Sequence, residues 1–368
     1  MMEAPATTGL YGDNKFKIGL FGMNCSNGLT MTTAPERWVA SWDNNKAAAI
    51  AADEAGVDFL LPIGRWNGYD GKIDFQGSTF ETLTWACGLL SCTSAITVCA
   101  TLHIPFANPV FAAKQMVTAH HIGKGRFALN IVSGWNQGEF DMFGVELIDH
   151  DIRYTYTEEW VDVVKKIWSE SEPFDHEGRW MKMKGVSGKP KPWADRLPML
   201  ISAGASPEGR GFAARHVDCL FTSIRDSAGL KDNIATIRAM GNGRQFGLFA
   251  SGHMICRKTR KEAEEFLHYI VHEYGDWEAA DSAAKIRLKG RDGRYDEIKN
   301  FKERLISGLG THMLFGSYDE VAQQILELSE CGLDGMALGL VNYVSELPHL
   351  RDEIFPRLER LGLRNAAH

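Results

Sequence analysis

The chain has 368 residues, room for one large α/β domain of roughly 250 residues with insertions, and its 44% apolar and 24% charged residues are ordinary for a globular protein. A formal net charge of −7 argues against nucleic-acid binding, which needs a basic face to neutralise phosphates. No apolar run reaches the roughly 18 residues of a membrane span, the first residues lack the basic start and apolar core of a signal peptide, and the seven cysteines are irregularly spaced without a C-x-x-C pair, so the expected compartment is the reducing cytoplasm.

In chain order, residues 1–16 read as a loose extension and 17–368 as a single domain. KIGLFGMN (17–24) is a predicted strand, followed by a helical pattern over 43–55 and a second strand, VDFLLPI (57–63). AITVCATLHI (95–104) precedes a helix over 109–121, and RFALNIVSG (126–134) precedes, after a long loop, a helix over 154–168. LPMLISAGA (197–205), VDCLFTSI (217–224), FGLFASGHMI (246–255) and GMALGLV (335–341) complete the series. Near-continuous apolar strands separated by helices mean a parallel sheet covered on both faces. About eight such strands favour an α/β fold of the closed (β/α)₈ barrel type over an open doubly wound sheet. One insertion, near 276–314, carries eight basic residues between Lys285 and Arg304 with Gly290 and Gly293 as breakers. It reads equally as a mobile lid or as a solvated helix with a flexible hinge.

In such a barrel, chemistry sits at the C-terminal strand ends. The first strand ends in Asn24-Cys25-Ser26-Asn27-Gly28, the second in Gly64-Arg65-Trp66-Asn67-Gly68, and the third near Thr101 and His103. The fourth runs into NIVSGWNQGEF (130–140), an amide, a hydroxyl, two glycines, an aromatic and a carboxylate in one turn. This mouth is rich in hydrogen-bonding groups and poor in strong acids and bases, which suits a planar, polar-edged cofactor better than a metal. At SAGASPEG, Ser206 is a good N-cap, Pro207 fits the first helical position and Gly204 permits close backbone approach, so the helix start is a ready phosphate site or simply a capped helix. No metal is expected. His120 and His121 are adjacent and diverge on a helix, and His268 and His272 are four apart without an H-E-x-x-H pattern. G-x-S-x-G is absent, and Cys25 reads as a pocket-wall residue rather than a nucleophile.

The runs IGKGRFALNIVSGWNQGEFDMFG, HDIRYTYTEEWVDVVKKIW, GRWMKMKG and LPMLISAGASPEGRGFAARHVD resemble the bacterial-luciferase-like flavin monooxygenases, most of all the branch holding pyrimidine and dimethyl sulfone monooxygenases. The resemblance implies a barrel that takes reduced FMN (FMNH₂) from a separate NAD(P)H-dependent flavin reductase and uses O₂ to oxidise, and to cleave, a small heterocycle or organosulfur compound. It implies FMN contacts at Gly64, Arg65, Asn130, Glu139, Arg153, Tyr154 and Ser206, with Gly204 beside them, and places Thr101 and Asn130 against the flavin where oxygen reacts. His103 is a further candidate catalytic residue by its strand-end position. Ser206 and Arg153 are expected to hold the phosphate. Asn24, Cys25, Trp66, Phe106 and Trp135 are expected to line the substrate pocket, which must exclude water. GMNCSNG and HIPFANP depart from both named relatives, LPIGRWNG departs from the pyrimidine monooxygenases, and these are the expected substrate-facing parts. A homodimer or homotetramer is the family habit. The competing readings are a deazaflavin (F420)-dependent dehydrogenase of the same fold and a non-catalytic flavin-binding protein.

Overall fold

A computed structural model describes residues 4–204, 206–224, 229–288 and 295–365, with the side chains at 150, 151, 287, 288 and 295–298 excluded. The elements run β1 (Lys17–Phe21), α1 (Trp42–Glu54), β2 (Phe59–Leu61), α2 (Thr82–Leu90), β3 (Thr97–His103), α3 (Pro109–Ile122), β4 (Phe127–Val132), α4 (Gln137–Phe143) and α5 (His150–Ser169). Then come β5 (Phe174–Glu177), β6 (Lys182–Val186), β7 (Met199–Ala203), α6 (Pro207–His216), β8 (Cys219–Thr222), α7 (Leu230–Ala239), β9 (Gly247–Arg257) and α8 (Arg260–His268). The chain closes with α9 (Trp277–Leu288), α10 (Tyr295–Gly308), β10 (His312–Ser317), α11 (Tyr318–Glu330), β11 (Gly335–Gly339) and α12 (Phe355–Arg360).

Eight parallel strands close into a barrel in the order β1-β2-β3-β4-β7-β8-β9-β11, as expected. Two features were not expected. The antiparallel hairpin β5–β6 lies outside the barrel, and its half-exposed residues make no apolar run. The strand β10 pairs with Gly252–Arg257 of β9, above the point where β8 stops pairing at Ala250. Its partial burial hides it from a search for buried strands, so the insertion ends before His312 rather than near 314. The remainder of that insertion is the helix pair α9 and α10, which buries Ala279, Ala280, Ala283, Leu305 and Ile306 against the barrel top. Gly290 and Gly293 lie outside the described residues.

Strand register decides what fills the barrel. Phe59, Phe221 and Phe249 meet inside it with ring centroids 5.3–5.9 Å apart. A Cβ on Gly19 would lie 2.3 Å from the Phe59 ring, so that strand position has room for no side chain. Below the rings, the N-terminal segment is docked rather than loose. Leu10 joins the interior cluster, its N–H is bonded to Thr97 Oγ1 at 3.0 Å, and Phe16 is fully buried. Leu10 therefore closes the barrel interior from below, and the cavity lined by the C-terminal strand ends lies at the mouth. Outside, helices start on local caps that the sequence carries: Asn108 with Pro109 for α3, Ser206 with Pro207 for α6, and capping boxes at Thr259–Glu262 and Ser317–Glu320.

A buried ion pair ties the two chain ends to the floor. Asp58 accepts from Ile18 N at 2.8 Å and Asn14 Nδ2 at 2.7 Å, and Arg364 Nη1 lies 3.5 Å from it. Burial pushes the Asp58 carboxyl upward against the opposing pull of Arg364. Removing one partner leaves the other charge uncompensated, so Arg364→Leu should lower unfolding free energy by about 3 kcal/mol in urea titration, with an unchanged far-ultraviolet spectrum.

Acid should also destabilise the fold. Burial pushes His120 and His103 down to about 4 and His253 to about 3, from 6.5. The unfolded chain therefore binds protons that the native imidazoles refuse, and stability should fall as pH drops from about 6.5 through 4. The urea midpoint at pH 7 and pH 5 checks the sign, and His120→Asn should flatten the slope.

Candidate active site

At the mouth lies a cavity of about 710 Å³, within the usual range for a cofactor or ligand pocket. Its lining comes from strand ends around the ring: Phe21 at the end of β1, Ile63 and Arg65 after β2, Asn130 on β4, Gly204 after β7, Thr222 on β8 and Ser251 on β9. Ile286 of α9 and Leu309, Gly310, Thr311 and His312 close it from above.

Asn130 is set by its neighbour on β3. Its Nδ2 donates to Thr101 Oγ1 at 3.2 Å, and that hydroxyl donates its own proton to Pro62 O at 2.7 Å. Asn130 Oδ1 is left buried with no partner among the described residues, and so is Thr222 Oγ1. An unsatisfied buried polar atom costs about 1–3 kcal/mol, so two of them on one cavity wall point to a ligand that supplies hydrogen bonds there. A planar heteroaromatic group with polar edges fits this wall.

Glu139 is expected to reach the cofactor, but its carboxylate faces elsewhere. It is 1% exposed, accepts from Trp66 N at 2.9 Å, and lies 3.6 Å from Arg65 Nη1 and 3.8 Å from His103 Nε2. Burial holds His103 neutral, at about 4, with Glu139 pulling upward and Arg65 downward. The carboxylate charge is therefore balanced by Arg65, and the 3.8 Å approach to a neutral imidazole is too long for a hydrogen bond. Arg65 also donates to Tyr69 Oη at 3.1 Å and sits 5.5 Å from the Trp135 ring centre, which fixes it as part of the cavity wall. Gly64 packs tightly behind: a Cβ there would lie 3.0 Å from His103 and 3.1 Å from Thr101.

The phosphate end differs in part from expectation. Arg153 Nε and Nη2 donate to Ile148 O at 3.1 and 2.9 Å, and Nη1 donates to Gly134 O. The guanidinium thus fastens the loop after β4 rather than pointing at an anion. Gly134 has φ of 87°, and a Cβ there would lie 2.5 Å from the Phe140 ring, so the turn requires glycine. Ser206 caps α6 by accepting from Gly209 N at 3.2 Å, and the Tyr154 hydroxyl is bonded to Ser206. Gly204 lies against Gly209, where a Cβ would be 3.1 Å from backbone. Ala205, between them, is outside the described residues.

Of the five expected pocket-wall residues, only Trp135 lines the cavity. Asn24 is a strut: it donates to Ile63 O at 2.8 Å and Phe80 O at 3.1 Å and accepts from Ile63 N at 2.9 Å. Cys25 is fully buried beside it, its thiol pushed up to about 12 by burial. Trp66 and Phe106 belong to an aromatic cluster outside the cavity, with Phe106 stacked on Phe143 at 4.1 Å and Trp66 edge-on to Phe143 at 4.9 Å. Sequence reading missed Thr222, Ser251, Thr311 and His312. The first two were legible as polar residues in the strands CLFT and GLFASGHMICR, whereas the last two needed β10 to be recognised.

Glu139→Gln should release Arg65 and the segment after β2. Stability should fall by about 3 kcal/mol, and a crystal structure or amide exchange of residues 64–68 should show the loosened loop. Unchanged protection there would mean that the carboxylate does not hold it.

Comparison with known proteins agrees with this geometry. A family model described as luciferase-like monooxygenase matches residues 17–335. The chain is 29% identical to an FMNH₂-dependent dimethylsulfone monooxygenase of Pseudomonas fluorescens (strain Pf0-1), covering 94% of this chain and 95% of that one. It is 28% identical to a pyrimidine monooxygenase of Enterobacter sp. (strain 638), over 93% of this chain and 96% of that one. A solved riboflavin lyase with modified FMN and its substrate riboflavin shares the fold, with TM-score 0.86 and 21% identity over 96% of this chain and 93% of that one. The match over most of the chain and the strand-end cavity lead to one conclusion: this chain belongs to the luciferase-like monooxygenase family.

Proposed function

We propose that this protein is a two-component, FMNH₂-dependent monooxygenase that uses O₂ to oxidise and cleave a small organic substrate, a heterocycle or an organosulfur compound. The observation that carries this reading is the unpartnered Asn130 Oδ1, oriented by Thr101, in a mouth cavity closed below. The relatives' names support FMNH₂ as the cofactor.

In this reading Asn130 and Thr222 bind the polar edge of the flavin, and the N-terminus of α6 with Ser206 receives its phosphate. Arg65 and Trp135 wall the ring, and Arg153 holds the loop that carries Trp135. When bound, reduced FMN supplies the electrons that activate O₂, one oxygen atom going to the substrate and the other to water. The protein positions, tunes and shields. Ile63, Leu309 and Ile286 exclude water from the cavity, and no carboxylate among the described residues lines it to deliver a proton. His103, neutral and outside the lining, packs behind Gly64 and is not placed to act as an acid on a ligand in the cavity.

A separate NAD(P)H-dependent flavin reductase supplies the cofactor. Seven free thiols support a cytoplasmic setting, and among the described residues no helix is long and apolar enough to cross a membrane. The expected assembly is a homodimer or homotetramer.

With reductase, NADH and ¹⁸O₂, a panel of sulfones and nitrogen heterocycles should yield product carrying one labelled oxygen, dependent on FMN. Absence of label from every product would overturn the reading. Asn130→Ala should bind reduced FMN about tenfold more weakly with an unchanged melting temperature; wild-type affinity would remove Asn130 from the site.

A further inference from the structure

In the ring of eight strands, β4 is separated from β8 by β7 and from β9 by β7 and β8. The Thr101–Asn130 pair lies on β3 and β4, and β10, which continues the β8 edge of β9 above the end of β8, extends the wall two to three strand places round the rim from Asn130. Ser251, Thr311 and His312 line the cavity there.

The Thr311 proton is committed. The hydroxyl donates to Gly308 O at 2.7 Å and lies 3.0 Å from His253 Nδ1. A hydroxyl has one proton, so the second contact requires His253 Nδ1 to donate. Burial keeps that ring neutral, at about 3. A Cβ on Gly308 would lie 2.1 Å from the His253 ring, so the last residue of α10 packs directly on it. This strut sets the first residue of β10, His312, whose backbone is in register with Gly252.

The His312 imidazole is only half-buried and has no hydrogen-bond partner among the described residues. Burial and the Arg304 charge push its proton affinity down, so it stands neutral with one donor and one acceptor nitrogen. The only cation lining the described cavity wall, Arg65, is balanced by Glu139.

We propose that His312 is the specificity-determining residue of the site, hydrogen-bonding an uncharged polar group of the substrate from the β8–β9 side of the cavity. The proposal rests on the flavin reading above. Ile286 and Leu309 cover the rest of such a substrate. Charged acids are disfavoured because no unbalanced cation meets them, and purely apolar molecules because they leave the imidazole and Ser251 unpaired.

The test uses the full chain loaded with reduced FMN under anaerobic conditions and calorimetric titration with three probes: succinimide, succinate and cyclopentane. Wild type should bind succinimide and prefer it over both others. His312→Leu should lose at least about tenfold in succinimide affinity, and His312→Gln, which keeps a donor and an acceptor, should stay within about threefold. FMN affinity, read separately by fluorescence quenching, should be equal in all three proteins. Equal succinimide binding by H312L, tighter binding of succinate or cyclopentane, or no succinimide binding by wild type overturns the proposal. Failure of wild type to bind reduced FMN shows in the fluorescence titration before any probe is added; it sinks the flavin reading and this proposal with it.

Discussion

The mouth of this barrel depends on one buried carboxylate. Glu139, on α4, meets Arg65 and the Trp66 N–H after β2 and approaches His103 at the end of β3. Two segments that are far apart in sequence, α4 and the turn after β2, are thereby held at one rim. A carboxylate taken out of water is costly unless its charge and lone pairs are met, so its position is strongly constrained by Arg65 and the backbone donor. The cavity wall is a consequence: Arg65 is held where its guanidinium can face Trp135, and Gly64 packs behind without a side chain.

The lower half of the molecule makes that upper half possible. Phe59, Phe221 and Phe249 fill the barrel interior, and Leu10 seals it from below. A packed interior is not a pore, so ligand space exists only where strand ends and their loops diverge. Stability and function are consequently separated along the barrel axis. The Asp58–Arg364 pair and the docked N-terminal segment serve the floor, while the oxygens of Asn130 and Thr222, without a partner among the described residues, lie at the top. Buried polar atoms without partners are tolerated where a ligand completes them.

Much of this was legible in sequence, for identifiable reasons. Eight buried strands announce themselves as apolar runs because both of their faces are covered. Caps such as Ser206–Pro207 and Asn108–Pro109 are local, and local chemistry can be read locally. Asn130 was found because an amide at the end of a buried strand is anomalous. The hairpin β5–β6 and the rim strand β10 escaped because half-exposed strands have no continuous apolar signature. His312, on β10, escaped with it.

The direction in which a polar side chain points was decided elsewhere. Asn24, Glu139 and Arg153 have the composition of ligand contacts, yet each is used on the protein itself, bonding backbone groups of Ile63, Trp66 and Ile148. Cys25, Trp66 and Phe106 sit at strand ends but turn away from the cavity. The sequence alone determined the barrel, its helix caps and the residues gathered at its mouth, because hydrophobic period and capping chemistry act over a few neighbouring residues. Only the tertiary structure decided which of those residues face the cavity, because that choice depends on partners brought from distant strands, and a hydrogen bond to such a partner removes a side chain from the ligand's reach.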